Sequence, residues 1–217
     1  MHQPSNLSTL SEETYLQAVT ELTFKDADLA GVVEKWGVPP FWVHAPGFPG
    51  MVAAVLAQQV SLESAQATLT KLEKAIGSIT PEDFLSLKSD TLRKIGFSRQ
   101  KAAYVHRIAR GIMTGTIDFA DLSSMNGNAA RKFLMELRGV GPWTADTYLL
   151  FSLRRPDVWP SGDLALIKAA SALKKLSPSA RSEEVNQIAD NWKPLRSVAA
   201  RILWHYYLCE RGRRVSA

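Results

Sequence analysis

Apolar residues recur at spacings of three and four along most of the chain, and stretches that alternate apolar and polar residues are nearly absent. The first spacing places apolar side chains on one face of a helix, whereas alternation is typical of strands. The pattern therefore predicts an all-α protein. Helices are expected over residues 12–22 and 26–36, from about 50 and from 81, and over 61–76, 89–95, 98–113, 128–137, 143–153, 163–176 and 181–209.

Residues that start and stop helices stand at the ends of these segments. Thr80 is expected to be an N-cap, with Pro81 in the first turn of the helix that it starts. Gly77 and Gly96 each follow a predicted helix, as residues that end a helix in a left-handed conformation do. The last helix is expected to break at residue 193, because a proline follows it. The proline-rich stretch "GVPPFWVHAPGFPG" (37–50) is predicted to be a connection.

Length and cysteine content limit what can hold the fold together. A chain of 217 residues can bury a core without disulfides or metals. Its single cysteine, Cys209, excludes an intrachain disulfide and a four-cysteine metal cluster, and favours a reducing compartment. No signal-peptide pattern and no run of about 18 apolar residues is present. We expect a soluble monomer without a membrane partner, in the cytoplasm or, in a eukaryote, in the nucleus.

Charge points weakly to a polyanionic partner. The net charge is +5 and the pI is near 9.4, and cationic residues concentrate around residues 94–110 and at 211–214. Such a chain attracts polyanions, but from charge alone a solvated helix face or tail is the favoured interpretation. The four histidines lack the spacing of metal ligands. Neither a structural metal nor a cofactor is expected.

The stretch "ELRGVGPWTAD" predicts a helix–hairpin–helix. One helix is expected to end at Arg138, and Gly139 and Gly141 permit dihedral angles and close approaches denied to other residues. Pro142 then starts the next helix with its φ already set. Backbone N–H groups beside a helix N-terminus suit a phosphate oxygen, so such a turn can bind a nucleic-acid backbone without reading bases. A tight turn without a ligand is the alternative, and the sequence leaves both open.

Two residues near the hairpin have a structural and a chemical interpretation. Asp163 follows a glycine and precedes an apolar helical pattern, so an N-cap is favoured on sequence alone. A capping carboxylate held rigidly at a cleft is also suited to stabilising a cationic sugar transition state. Trp143 starts the helix after the hairpin, where it either packs partly buried or stacks on a nucleobase.

Five motifs in order resemble one family. They are "VLAQQVSLESA", "IGFSRQKAAYV", "LRGVGPWTAD", "PDVWPSGDLALIKAA" and "WKPLRSVAARILWHYY". Together they are similar to the helix–hairpin–helix DNA glycosylase superfamily, and specifically to a compact form of the AlkA-like DNA-3-methyladenine glycosylases II. The resemblance implies two helical lobes with a cleft between them. One lobe comprises residues 50–153 with the hairpin, and the other residues 1–49 plus 154–217.

The resemblance also assigns roles to individual residues. Asp163 matches the catalytic aspartate, and damaged double-stranded DNA is the implied partner. The hairpin matches residues 137–144, whose carbonyls at Arg138 and Gly141 are implied ligands of a monovalent ion. The resemblance also implies a base pocket at Trp143 and Trp204, next to His205, and a DNA wedge that inserts into the base stack, with Gln59 at its centre (Gln58, Gln59, Val60, Ser61). The hairpin gives the implied contacts to the DNA backbone (Arg138, Gly139, Val140, Gly141, Thr144). From their own side chains, Tyr148 is a further candidate for the base pocket, and Lys101 and Lys168 are further candidates for backbone contacts.

The implied activity is excision of alkylated purines in base excision repair. Bifunctional relatives carry a lysine nucleophile where this chain has Trp143, so a monofunctional hydrolase without lyase activity is expected. A cationic alkylated base leaves without protonation, so no second carboxylate is needed. Two alternatives stay open. One is the same fold acting on uracil, hypoxanthine or oxidised purines, for which His205, Tyr206 and Tyr148 offer hydrogen bonds, and the other is a non-catalytic DNA-binding module.

Overall fold

The computed structural model describes residues 9–177 and 182–213, which form helices and connections without strands. The all-α prediction is confirmed. The helices of this part of the chain are α1 Glu12–Lys25, α2 Ala27–Trp36, α3 Phe48–Leu56, α4 Leu62–Ile76, α5 Pro81–Ser86, α6 Ser89–Ile95, α7 Arg99–Met113, α8 Gly127–Glu136, α9 Pro142–Phe151, α10 Leu164–Leu173, α11 Ser182–Ala189 and α12 Arg196–Cys209, with short 3₁₀ helices at Ala120–Ser123 and Asp190–Trp192.

Local capping explains where most of these helices begin and end. The Thr80 hydroxyl accepts the Asp83 N–H at the start of α5, and the Ser98 hydroxyl accepts the Lys101 N–H at the start of α7. Gly96, with φ of 120°, ends α6. Each cap satisfies an N–H or C=O group that the helix itself leaves without a partner. The predicted caps are confirmed, as is the break before α12.

The start of α3 differs from the sequence prediction. The helix begins at Phe48, inside the stretch predicted to be a connection, because Gly47 turns the backbone with φ of 77° and Pro49 suits a first turn. The residues just before it are tied to α9. The His44 N–H donates to the Phe151 carbonyl at 3.1 Å, and one of the two compact units accordingly begins at residue 44 where the sequence predicted 50.

The unit of residues 44–153 is built around α3, which is buried along its whole length. Helices α4, α7 and α9 pack on it, while α5 packs on α7 and α8 on α9. At Gly50 the approach is so close that a Cβ atom would lie 2.2 Å from the Ser152 Oγ at the end of α9. A helix that is apolar on all sides is expected at the centre of such a unit.

The other unit combines the described residues of both chain ends around α12. Helices α1, α2 and α10 pack on α12. Asp26, the N-cap of α2, joins distant parts of this unit, because it accepts hydrogen bonds from the Lys174 ammonium at 2.7 and 2.8 Å and from the Trp192 indole at 2.8 Å. Among the described helices, none combines the length and apolar character that crossing a bilayer requires.

Candidate active site

Asp163 lies at the N-terminus of α10 in the unit formed by the chain ends. Its backbone is extended, with φ of −66° and ψ of 117°, and its Oδ1 accepts the Leu166 N–H at 2.8 Å. The Trp204 indole N–H donates to the same oxygen at 3.3 Å. The residue is 9 % exposed. Two donors from two helices therefore fix one carboxylate oxygen, and the predicted N-cap is confirmed.

Trp204 is brought to Asp163 by α12, as the resemblance implied. It is half-buried, so part of the indole faces solvent. The hydrogen bond from its N–H restrains the ring relative to the carboxylate. Leu164, directly after Asp163, is 71 % exposed. A negative charge, part of an indole and an exposed apolar side chain thus lie together at the start of α10.

His205 faces a different direction from its neighbour Trp204, because consecutive residues of a helix point about 100° apart. Its Nε2 donates to the Trp36 carbonyl at 3.2 Å, and its ring lies 6.4 Å from that of Trp42. The structure therefore places His205 against α2 and the segment that follows it. Its predicted pocket role stays a prediction without a contact to Asp163 or Trp204 among those described.

Tyr148 requires a correction, because it is a core residue and not an exposed pocket group. It is 1 % exposed, its hydroxyl accepts the Gly47 N–H at 2.8 Å, and its ring lies 5.8 Å from that of Phe119. Burial raises the pKa of Tyr148 to about 12, although the Gly47 bond acts in the opposite direction. In this conformation the side chain offers no surface on which a base could bind.

The predicted helix–hairpin–helix is present, with α8 and α9 joined through residues 137–141. Gly139 has φ of 94°, and a Cβ atom there would lie 2.2 Å from the Tyr104 ring of α7. Gly141 is different, since its φ of −90° suits any residue and nothing lies within 4 Å of a Cβ atom. Gly139 therefore uses both the dihedral angle and the close approach that glycine permits, whereas Gly141 uses neither.

An ion pair with a buried carboxylate, which the sequence pattern did not predict, joins the two hairpin helices. Arg131 of α8 donates from Nε and Nη2 to the two oxygens of Asp146 of α9, at 2.6 and 3.2 Å. Asp146 is 2 % exposed. The hydrogen bond from Asp146 raises the pKa of the Arg131 guanidinium, against the effect of burial. A single acidic residue in the otherwise uncharged α9 is the one sequence signal for this pair.

The predicted contacts to the DNA backbone divide by exposure. Arg138, Gly141 and Lys168 are exposed. The Val140 and Thr144 side chains are buried, at 5 % and 3 % exposure, which leaves only their backbone for such a contact. The monovalent ion at the carbonyls of Arg138 and Gly141 stays a prediction. Within residues 9–177 and 182–213, no three His, Cys, Asp or Glu side chains are grouped so as to hold a metal ion.

Lys101 has a structural partner that the sequence did not suggest. Its ammonium donates to the Leu56 carbonyl, the last of α3, at 2.7 Å. Burial lowers the pKa of the Lys101 amine. A cation at the C-terminal end of a helix is favourably placed, since the last carbonyls have no partner within the helix.

The four predicted wedge residues differ in exposure. The Gln58 side chain turns inward, and its Nε2 donates to the Gly139 carbonyl and the Thr144 hydroxyl, both at 2.9 Å. Gln59 is exposed with φ of 54°, and Val60 is 45 % exposed. Ser61 caps α4 by accepting the Ser64 N–H. Gln59, Val60 and Ser61 are therefore exposed, whereas the hairpin engages the Gln58 side chain.

The chain is similar to known DNA repair proteins. Residues 52–194 match the family model of the HhH-GPD superfamily base excision DNA repair protein. Two relatives from Schizosaccharomyces pombe are an alkylbase DNA glycosidase-like protein, 27 % identical over 89 % of this chain and 94 % of its own length, and DNA-3-methyladenine glycosylase 1, 27 % identical over 90 % and 92 %.

The fold is similar to that of solved glycosylase structures. The S. pombe 3-methyladenine DNA glycosylase Mag1 in complex with abasic DNA superposes with a TM-score of 0.78 and 25 % identity, over 87 % of this chain and 95 % of that one. The family match, the relatives, the fold and the hairpin of this chain show that it belongs to the HhH-GPD superfamily of base excision DNA repair proteins, and within it to the AlkA-like type.

Proposed function

We propose that this protein is a monofunctional DNA glycosylase that flips alkylated purines such as 3-methyladenine out of double-stranded DNA and hydrolyses their N-glycosidic bond, leaving an abasic site. The observation that carries the proposal is the Asp163 carboxylate, which the Leu166 N–H and the Trp204 indole hold in place. The relatives named as 3-methyladenine glycosylases, one of them in complex with abasic DNA, support alkylated DNA as the substrate.

The proposed chemistry needs little beyond a fixed negative charge. N-alkylation makes the purine cationic, so the base departs without a general acid. Asp163 stabilises the cationic sugar that develops and orients the attacking water. Trp204 and, by the resemblance, Trp143 hold the flipped base through stacking and cation–π attraction, each worth about 0.5–2 kcal/mol. The cost of extruding a base is lowest for damaged pairs, which adds selectivity.

Trp143 is the reason to propose a monofunctional enzyme. It occupies the position directly before Thr144 at which bifunctional relatives have a lysine, and an indole cannot form a Schiff base with the sugar. After incubation with alkylated duplex, strand cleavage is expected only when alkali is added. Borohydride treatment during the reaction is expected to trap no covalent protein–DNA adduct. A trapped adduct would contradict the hydrolytic mechanism.

The observations weigh against the neutral-base alternative. Uracil, hypoxanthine or oxidised purines would need hydrogen-bonding groups in the pocket. Tyr148 is in the core and His205 bonds to the Trp36 carbonyl, so two of the three groups considered for that task are engaged elsewhere. A panel of duplexes that each carry a single lesion tests this directly, with faster release of alkylated than of neutral bases expected.

The central test is Asp163→Asn. The amide oxygen of asparagine can still accept the Leu166 and Trp204 N–H groups, and asparagine is as good an N-cap as aspartate. The variant is therefore expected to fold and to bind abasic DNA, but to release alkylated purines several orders of magnitude more slowly. Asp118→Asn is the matched control, since Asp118 is an exposed residue that accepts the Ala120 N–H.

Near-normal base release by Asp163→Asn would remove Asp163 from the mechanism. A protein whose duplex affinity does not depend on lesions and that releases no base would support the non-catalytic DNA-binding module instead.

A further inference from the structure

The turn between α3 and α4, residues 57–61, is anchored to the hairpin by Gln58. We call this segment the wedge turn. The Gln58 amide nitrogen lies 2.9 Å from both the Gly139 carbonyl oxygen and the Thr144 hydroxyl oxygen. An amide nitrogen has two N–H donors, and both are used here. One side chain of the wedge turn therefore bonds to the hairpin loop and to the first turn of α9.

A second anchor holds the same segment from another side. The Lys101 ammonium of α7 donates to the Leu56 carbonyl, one residue before the wedge turn begins. This contact fixes the end of α3, and Gln58 then fixes the chain two residues further on. The start of the wedge turn is thus held by α7 and by the hairpin within the same compact unit.

The tip of the wedge turn, Gln59 and Val60, is exposed, unlike the anchored residues before it. Gln59 is exposed and has φ of 54°, a left-handed conformation that a residue with a Cβ atom rarely adopts. Such a conformation persists where surrounding contacts determine the backbone. Val60, next to it, is 45 % exposed. The anchored Gln58 directly precedes the residue whose backbone is strained and whose side chain protrudes.

We propose that Gln58 is a positioning residue that fixes the wedge turn to the hairpin, so that the grip of the hairpin on the DNA backbone sets where Gln59 enters the base stack. This inference rests on the proposed function. The amide acts through Gln59 and does not itself need to touch the base. Without the two hydrogen bonds of Gln58, the hairpin still binds the DNA backbone. Gln59, however, loses its defined position, and the flipped-out state of the nucleotide is less stable.

Two substitutions separate this role from general stability. Gln58→Glu keeps the shape but places a carboxylate against the Gly139 carbonyl oxygen, and protonation at lower pH restores one donor. Gln58→Met lacks a donor at every pH. Gln66→Glu is the matched control for charge, because Gln66 is exposed on α4 of the same unit. Thr144→Val removes only one of the two acceptors, and serves if the Gln58 variants fold poorly.

Loss of the anchor is expected to slow single-turnover base release from a matched alkylated duplex about tenfold, as for the loss of one or two net hydrogen bonds. Affinity for undamaged duplex is expected to stay unchanged. The tenfold slowing should become smaller when the lesion lies in a mismatch, because flipping the nucleotide out of a mismatch costs less free energy. As the pH is lowered, the rate of base release by Gln58→Glu should recover relative to the wild type, because protonation restores a donor. The rate for Gln58→Met should not recover, because methionine has no donor at any pH.

A fluorescence measurement gives a readout that does not depend on catalysis. A duplex with 2-aminopurine opposite an abasic site is expected to brighten when the wild type inserts its wedge, and to brighten less with either Gln58 variant. Wild-type fluorescence and base release in both variants would overturn the positioning role. If the wild type brightens the duplex but releases no alkylated base, and the variants lose the brightening, the proposed excision is refuted while the positioning role is supported.

Discussion

Replacing Gly139 by alanine is expected to destabilise the protein, whereas the same change at Gly141, two residues away, is not. At Gly139 the φ of 94° costs about 1–2 kcal/mol for a residue with a Cβ atom. The Cβ atom would also lie 2.2 Å from Cγ of Tyr104, so the ring must move, at about 1–3 kcal/mol. Alanine also lowers the conformational entropy of the unfolded chain, which recovers about 0.4–1 kcal/mol of stability. The expected net loss is about 3 kcal/mol.

At Gly141 two small effects oppose each other. Its φ of −90° suits alanine, and nothing lies within 4 Å of the new Cβ atom. Alanine lowers the conformational entropy of the unfolded chain, which favours folding by about 0.4–1 kcal/mol, but Gly141 is the N-cap of α9, where alanine is less favourable than glycine. Gly141→Ala is therefore expected to change the free energy of unfolding by no more than about 0.5 kcal/mol. The two substitutions are chemically identical and lie in one loop, so each is a control for the other, with a large loss of stability expected at Gly139 and little change at Gly141.

Urea unfolding followed by circular dichroism measures both free energies of unfolding. Tyr104→Ala in the Gly139→Ala background should recover part of the loss, since it removes the ring but not the backbone strain, and the two effects should not add. Gly139→Ala that is as stable as Gly141→Ala would refute the reasoning, because it would mean that the loop relaxes without cost.

Two further predictions concern residues far from the hairpin loop. Tyr148→Phe is expected to lose about 1–2 kcal/mol of stability, because the Gly47 N–H loses its acceptor, while single-turnover base release is unchanged; slower release at unchanged stability would instead favour a pocket role. Burial alone would raise the pKa of Asp26, but bonds from Lys174 and Trp192 outweigh it and hold the pKa below its ordinary value of 3.8. The stabilisation of the folded state by these bonds is therefore present above pH 3.8 and is lost as the pH falls through the lowered pKa. Lys174→Met should therefore shift acid unfolding to higher pH, and an unchanged acid transition would contradict the assignment.

Helix ends could be predicted because their determinants are local. The hydroxyl of Thr80 or Ser98 reaches an N–H three residues on, so neighbours in sequence are neighbours in space whatever the rest of the chain does. The same reason makes Asp163 predictable as an N-cap. The helix start at Phe48 was missed although it is also local, because the prolines around it dominated the interpretation of that stretch.

Contacts between residues far apart in sequence could not be predicted in the same way. Gln58 bonds to residues 81 and 86 positions away, and Tyr148 bonds to one 101 positions away. The family resemblance assigns Gln58 to the wedge, and its hydroxyl makes Tyr148 a base-pocket candidate, because the sequence shows a polar side chain but not the direction in which it points. The proximity of Trp204 to Asp163 came from the family resemblance, since nothing in the spacing of the two residues implies contact.

The sequence by itself determined an all-α chain, the caps of its helices, the hairpin and the residues that carry the family resemblance, because spacing, proline and capping side chains act over a few residues. Only the tertiary structure decided which of two glycines is required, which glutamine protrudes and which tyrosine is core. Those outcomes depend on how helices far apart in sequence pack against one another, and a contact such as Tyr104 against Gly139 exists only once α7 and the hairpin meet.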